Sequence, residues 1–445
     1  MNKRFLLSVL LLSGTLALSS CSLFNDDDIM EPNVYNPEYD ETEEIPPGST
    51  LIGGVVGKED TELHSLVFKN LGYGTYDPEE DKYTVPNTYK EGGSHHMGYH
   101  VNNDEDYPNA SISNNNYDLY VPTSASRTGK HTVILFVHGG AWTMGFKTDV
   151  NPYIHEFASR GYITATIKYT LLKASMNDTS LSIFRNLDEI DACIKSIKTN
   201  LTKLNFDTTK TELVIGGASS GAHLSMLYAY SRGKDSVLPI KFVVDAVGPV
   251  DIKEGAWRRF INDSASVLDA GLDKDAIAAQ GSAHNLAELD IADGSGKKWT
   301  DYQTFRIANG MCGLPYTLEE VKAATDSSED YVTNPSAPAY VNMISSGGGE
   351  DQLSVTYWIN RADEASKFPI ICAYAGKDGV VGINQYATLQ TALDNKGITA
   401  YTAQSGKKYI YFKNSNHQDL TPDADPDRYN ELINAVDTWC QATNI

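Results

Sequence analysis

One short stretch constrains this chain more than any other: Gly216-Gly217-Ala218-Ser219-Ser220-Gly221-Ala222-His223-Leu224. Residues 212–215 ahead of it carry Leu213, Val214 and Ile215, an apolar run of strand character. Residues 222–232 behind it favour helix and end at Gly233, so Ser219 stands on a strand-turn-helix corner. Only Ser219 fits the frame G-x-S-x-G. Such a corner holds its central residue at positive φ, and Gly217 and Gly221 remove Cβ atoms where strand and helix come close. The outcome is a hydroxyl at a helix N-terminus, where the amide of Ser220 and the helix dipole stabilise negative charge growing on a nearby oxygen. With 35 glycines in 445 residues, chance alone supplies the pattern roughly 0.2 times per chain, so its meaning depends on partners elsewhere.

A chain of 445 residues with 41% hydrophobic content can bury the core of one large α/β domain with insertions. Its 36 basic residues face 58 acidic ones, a net charge of -22, which disfavours nucleic acid and other anionic polymers as partners. Most of that charge reads as a solvated acidic surface.

The N-terminus reads as an export signal. Lys3 and Arg4 precede an apolar run over residues 5–18, shorter than the ~20 residues of a membrane span. Leu18-Ser19-Ser20-Cys21 follows and resembles a bacterial lipobox, which implies a lipoprotein cleaved and acylated at Cys21. Ser22 in place of Asp implies outer-membrane sorting, and hence a lipid-anchored protein of the cell envelope. An ordinary secretory signal or a membrane anchor is the alternative. The expected organisation is a signal over residues 1–21, an acidic, proline-bearing tether over 22–50 and one domain over 51–445. Cys193, Cys312, Cys372 and Cys440 then allow zero, one or two bridges. His95, His96 and His100 have no Cys or carboxylate at ligand spacing and read as a surface loop, so no metal is expected.

Residues 51–95 are hard to place. Strand signals come next at 97–101, 117–121 and 132–137, and the last runs into His138-Gly139-Gly140-Ala141-Trp142. This segment followed by the Ser219 corner resembles the carboxylesterase-like esterase and lipase branch of the α/β-hydrolase superfamily. The resemblance implies an α/β-hydrolase fold: a mostly parallel central sheet, helices on both faces and a lid-like insertion. It also implies that the Gly139 and Gly140 amides join Ser220 in an oxyanion hole, each donor worth about 3–4 kcal/mol in the transition state. His138 would order that loop and not act as the base.

The connections agree with a doubly wound sheet. Asn151 and Pro152 read as N-cap and first turn of a helix to about residue 160, Gly161 ends it, and 162–169 is the next strand. Ile183, Leu187, Ile190, Ile194, Ile197, Leu201 and Leu204 make one apolar stripe on a long helix. Strands are expected at 212–216, 240–247, 369–374 and 408–412, with helices at 383–395 and 428–440.

In the resembling fold the chain order is nucleophile, acid, histidine. Residues 369–376 run into Lys377-Asp378-Gly379, which makes Asp378 the first choice for the acid, with Asp251 one strand earlier as runner-up. Of ten histidines only His417 lies beyond Asp378, in Asn414-Ser415-Asn416-His417-Gln418. His223 reads as packed or capping. Residues 251–368, with Trp257, Trp299 and Trp358 among several aromatics, are expected to form a lid or cap. The family's Tyr-Arg pair is altered here to Tyr169-Thr170.

These readings converge on a serine esterase acting on short-chain esters outside the cytoplasm, a carbohydrate deacetylase foremost, without metal or organic cofactor. A peptidase of the same superfamily is one alternative, although no propeller repeats are visible. A catalytically inactive glycan-binding surface protein is the other.

Overall fold

The computed structural model describes residues 50–53, 55–77, 82–84, 116–140, 142, 145–171, 183–251, 352–378, 381, 383–443 and 445. The expected signal, residues 22–49 of the tether, the strand at 97–101, His95, His96, His100 and Cys312 lie outside them, as do residues 252–351 of the expected lid.

Among the described residues the central sheet has nine strands: β1 (Lys58–Asp60), β2 (Ser65–Gly72), β3 (Asn116–Pro122), β4 (His131–Val137), β5 (Ile163–Lys168), β6 (Thr211–Ala218), β7 (Ile240–Ala246), β8 (Ile370–Ala375) and β9 (Ile410–Phe412). Their spatial order is β9-β8-β7-β6-β4-β5-β3-β2-β1. From β9 to β5 every pairing is parallel, and the β5-β3, β3-β2 and β2-β1 pairings are antiparallel. The central strands are near-continuous apolar runs, such as Val133 to Val137 in β4, because helices cover both of their faces.

The long helix α2 (Ile183–Lys203), α3 (Ser220–Arg232) and α5 (Ile383–Lys396) bury their apolar sides on one face, and α1 (Asn151–Ser159) and α6 (Pro426–Gln441) on the other. A short α4 (Val355–Ile359) precedes α5. The expected stripe of α2 from Ile183 to Leu204 is buried throughout. Its first two turns also bury Arg185, Asn186, Asp188 and Glu189, which apolar periodicity does not foresee.

Two local readings change. A 3-10 turn, Lys147–Val150, leads into α1, so Asn151 already has helical dihedrals (φ -54, ψ -36) and Val150 takes the N-cap position. The stretch 51–95 supplies β1 and β2. Its strand signal is hidden by a bulge in β2, where the register shifts between Phe68 and Leu71 and Asn70 adopts φ +58. One extra residue there breaks the alternation that marks a half-buried strand. Asn70 is held by its N–H to Asp118 Oδ1 at 2.9 Å and by its side-chain oxygen, which accepts from the Lys147 ammonium.

The chain leaves the sheet after Val250 and returns beside its exit. Val355 N–H donates to Val250 O at 2.7 Å, Ser354 Oγ donates to Asp251 Oδ1 at 2.9 Å, and Gln385 Oε1 accepts from both the Val250 and Asp251 amides. Cys193, Cys372 and Cys440 are buried free thiols.

Candidate active site

The carboxyl ends of β4, β6, β8 and β9 converge. Between β6 and α3, Ser219 sits at φ 53, ψ -125, strain of about 1–3 kcal/mol for a non-glycine residue. Its N–H donates to Ala246 O at 2.8 Å, which ties the corner to β7. Glycine is obligatory at the next approach: a Cβ on Gly221 would lie 2.1 Å from the Val137 carbonyl oxygen. Helix α3 therefore starts in van der Waals contact with the end of β4.

His417 lies in the loop after β9 and Asp378 in the turn after β8. The two segments are stitched by Gly376 N–H to Phe412 O and Lys377 N–H to Ser415 O, both 2.9 Å. His417 Nδ1 is 2.7 Å from Asp378 Oδ2, and His417 Nε2 is 2.8 Å from Ser219 Oγ. Asp378 is fully buried, and its second oxygen accepts the Val381 N–H at 2.7 Å. A carboxylate at that place makes Nδ1 the donor and leaves Nε2 free to accept the serine proton. Asp251, the runner-up acid, instead accepts from Ser354 at the exit point of the chain.

The loop after β4 lies against the serine. A Cβ on Gly139 would be 2.9 Å from Ala218 O and 3.1 Å from Ser219 Cβ, so its backbone can approach only because the side chain is missing. Gly140 follows at φ +115. Ser220 opens α3, where a first-turn amide has no intrahelical acceptor and is free to face a substrate oxygen. Gly139 thus lies against the Ala218–Ser219 corner, with Gly140 next in the loop and Ser220 next in the chain after Ser219.

His138 is fully buried and stacked on Tyr169, with ring centroids 4.3 Å apart and 12° between planes. Its Nδ1–H donates to Gly139 O at 2.7 Å, and burial pushes its pKa down to about 4. It shapes the loop as a neutral ring. Behind it, the Tyr169 hydroxyl donates to His138 O at 3.2 Å. The next residue, Thr170, where the resembling family has arginine, donates its N–H and hydroxyl to Glu189 at 2.7 and 2.6 Å. Glu189 is paired at 2.9 Å with Arg185 one turn away on α2. The i, i+4 spacing of Arg185 and Glu189 is visible in the sequence, but their burial beneath Thr170 is not.

His223, on the first turn of α3, is packed as expected. Its Nε2 lies 2.7 Å from Leu353 O and its Nδ1 accepts the Trp142 indole N–H at 3.2 Å. A further acid near the corner, Asp245 in β7, is fully buried, accepts from Tyr374 Oη at 2.7 Å and Gly248 N–H at 2.8 Å, and is raised to about 7 by desolvation. It stands outside the relay. Among the described residues no group of three or more His, Cys, Asp or Glu is placed to hold a metal ion.

A largely parallel sheet covered on both faces carries a serine corner, a glycine loop, an acid turn and a histidine loop on the same ends of its strands, in that functional arrangement. This is the α/β-hydrolase fold. A family model described as BD-FAE matches residues 117–286, from β3 of the α/β-hydrolase sheet past β7. The chain is 32% identical over 111 residues to "Probable isoprenylcysteine alpha-carbonyl methylesterase ICMEL1" of Oryza sativa subsp. japonica, covering 25% of this chain and 24% of that protein. It is 26% identical over 148 residues to "Non-reducing polyketide synthase adrD" of Penicillium rubens, covering 32% of this chain and 6% of that one. The chain thus spans less than a quarter of the length of these curated relatives. Among solved structures it is similar to a truncated form of a carbohydrate esterase from gut microbiota, at 15% identity and a TM-score of 0.47, with 86% and 99% of the two chains covered. A bacterial heroin esterase matches at 15% identity and a TM-score of 0.42, with 74% and 80% covered.

Proposed function

We propose that this α/β-hydrolase is a serine esterase that cleaves carboxylic esters. The observation that carries the reading is the Asp378–His417–Ser219 relay, with contacts of 2.7 and 2.8 Å, beside a loop that only glycine can bring so close. Ser219 Oγ attacks the ester carbonyl carbon while His417 Nε2 takes its proton. The negative charge formed on the carbonyl oxygen is met by the amides of Gly139, Gly140 and Ser220. Collapse breaks the bond to the alcohol oxygen, which leaves with the proton from His417. Water, activated by the same imidazole, then releases the acid from Ser219. Asp378 holds the tautomer and offsets the imidazolium charge.

Within that class the reading extends to short acyl groups, acetyl foremost, on a neutral sugar met outside the cytoplasm, with the chain anchored by lipid at Cys21. The Lys3-Arg4 leader and the sequence Leu18-Ser19-Ser20-Cys21 support the location. Without residues 1–20 the chain keeps 34 basic against 58 acidic residues, a charge of -24 that opposes strongly anionic substrates.

The test is hydrolysis of p-nitrophenyl esters of increasing acyl length beside acetylated oligosaccharides, with Ser219→Ala as partner. Wild type is expected to favour acetate, and Ser219→Ala to lose turnover by about 10⁴-fold or more. Full activity in Ser219→Ala would sink the esterase reading; faster turnover of the decanoate, with no acetate freed from glycans, would sink only the deacetylase one.

A further inference from the structure

Two elements foreign to α3 meet on one of its side chains. The Trp142 indole N–H donates to His223 Nδ1, and the rings lie edge to face with centroids 5.3 Å apart at 87°. An accepting Nδ1 carries no hydrogen, so Nε2 is the donor to Leu353 O. Both ring nitrogens are engaged, and burial, which lowers the pKa to about 4, keeps the ring neutral. A leucine would fill the same space without the cost of burying an imidazole. What the histidine adds is its two bonds.

Each bond reaches a place that matters to the site. Trp142 stands two residues beyond Gly140 in the chain, at φ +62, a conformation that persists in a non-glycine residue only where its surroundings hold it. Leu353 stands where the chain returns to the sheet, next to the Ser354 and Val355 bonds to Asp251 and Val250. His223 is itself fastened to the nucleophile, since its N–H donates to Ser219 O at 3.0 Å.

We propose that His223 is a positioning residue: through Trp142 it holds the Gly139-Gly140 loop in register with Ser219, and through Leu353 it ties that loop to the return point of the chain. The proposal rests on the reading of Gly139 and Gly140 as oxyanion donors.

Steady-state kinetics of wild type, Trp142→Phe, His223→Leu, His223→Asn and the double variant Trp142→Phe/His223→Leu provide the test, with competent serines counted by a serine-directed phosphonate. A displacement of the donors of order 1 Å costs about 10²-fold, so His223→Leu and Trp142→Phe should each lower kcat by roughly 10- to 100-fold while KM stays within about threefold. The double variant should be no slower than His223→Leu alone, because that change already removes the Trp142 bond, the one bond that Trp142→Phe breaks, together with the bond to Leu353. His223→Asn, whose Oδ1 falls where Nδ1 lies and can accept the indole N–H, should recover most of the loss. Should His223→Leu not fold, Trp142→Phe and His223→Asn still decide. Unchanged kcat per competent serine in Trp142→Phe, losses that multiply in the double variant, or His223→Asn as slow as His223→Leu would each overturn the proposal. If Ser219→Ala is inactive while the His223 variants keep full kcat, only this inference falls; if Ser219→Ala is active, the esterase reading falls and takes it along.

Discussion

Replacing Asp378 by asparagine keeps the shape of the side chain and removes one charge, and the surroundings of the acid set the size of the loss. One oxygen faces His417 Nδ1 at 2.7 Å and the other faces the Val381 N–H at 2.7 Å, in a fully buried site. The amide then has two orientations, both poor. With its NH2 toward His417, Nδ1 must accept, the ring hydrogen moves to Nε2, and the imidazole donates to Ser219 instead of taking its proton. With its oxygen toward His417, the NH2 opposes the Val381 N–H, two donors meet without an acceptor, and about 1–3 kcal/mol is lost, or roughly 5- to 150-fold in the population of the competent form. Even that form lacks the negative charge that steadies the imidazolium. The combined loss in turnover is expected at about 10³- to 10⁴-fold, with folding retained. The assay is kcat/KM on p-nitrophenyl acetate for wild type, Asp378→Asn and Asp251→Asn, with thermal unfolding in parallel. Asp251 binds Ser354 at the chain exit, so its variant should stay within about tenfold of wild type. An Asp378→Asn enzyme within tenfold of wild type, or a larger loss in Asp251→Asn, refutes the reasoning.

Gly221→Ala places a Cβ 2.1 Å from a backbone oxygen that cannot rotate away, so a loss of about 3 kcal/mol or more in urea unfolding is expected, and one below about 1 kcal/mol counts against the close approach. Asp245 is raised to about 7 by burial, and the folded chain therefore holds its proton more tightly than the unfolded chain, where the group titrates near about 4. Its contribution is complete below pH ~4 and is lost as pH rises through about 7, so the stability of wild type relative to Asp245→Asn should fall across that window by a few kcal/mol at most; a flat difference would show that Asp245 does not titrate there. Cys21→Ala should free the protein from the membrane fraction with its activity intact, and a variant still wholly in the membrane pellet would remove the lipid anchor from the proposal.

The sequence by itself determined the parts whose physics is local. A serine between Gly217 and Gly221, after Leu213, Val214 and Ile215, describes a strand-turn-helix corner because backbone sterics act over a few residues, and Ser219 takes the expected positive φ. The stripe from Ile183 to Leu204 foretold α2 for the same reason: side-chain period is a property of the segment. Asp378 and His417 were legible only through the chain order of the resembling family, which left Asp251 open as the acid, and their separation of 39 residues is closed by the pairing of β8 with β9 and the backbone bonds between the two loops. The tertiary structure decided the rest. β2 was illegible because its bulge at Asn70 is stabilised from outside, by Asp118 and Lys147, and not by its own alternation. Arg185 and Glu189 look like an exposed helical ion pair until Thr170 is packed on them. His223 is a histidine on a helix in the sequence, and becomes the junction of Trp142 and Leu353 only when residues 81 and 130 positions away are folded against it. A hydrogen bond between distant segments leaves no trace in the composition or period of either one, which is why those contacts had to be found in space.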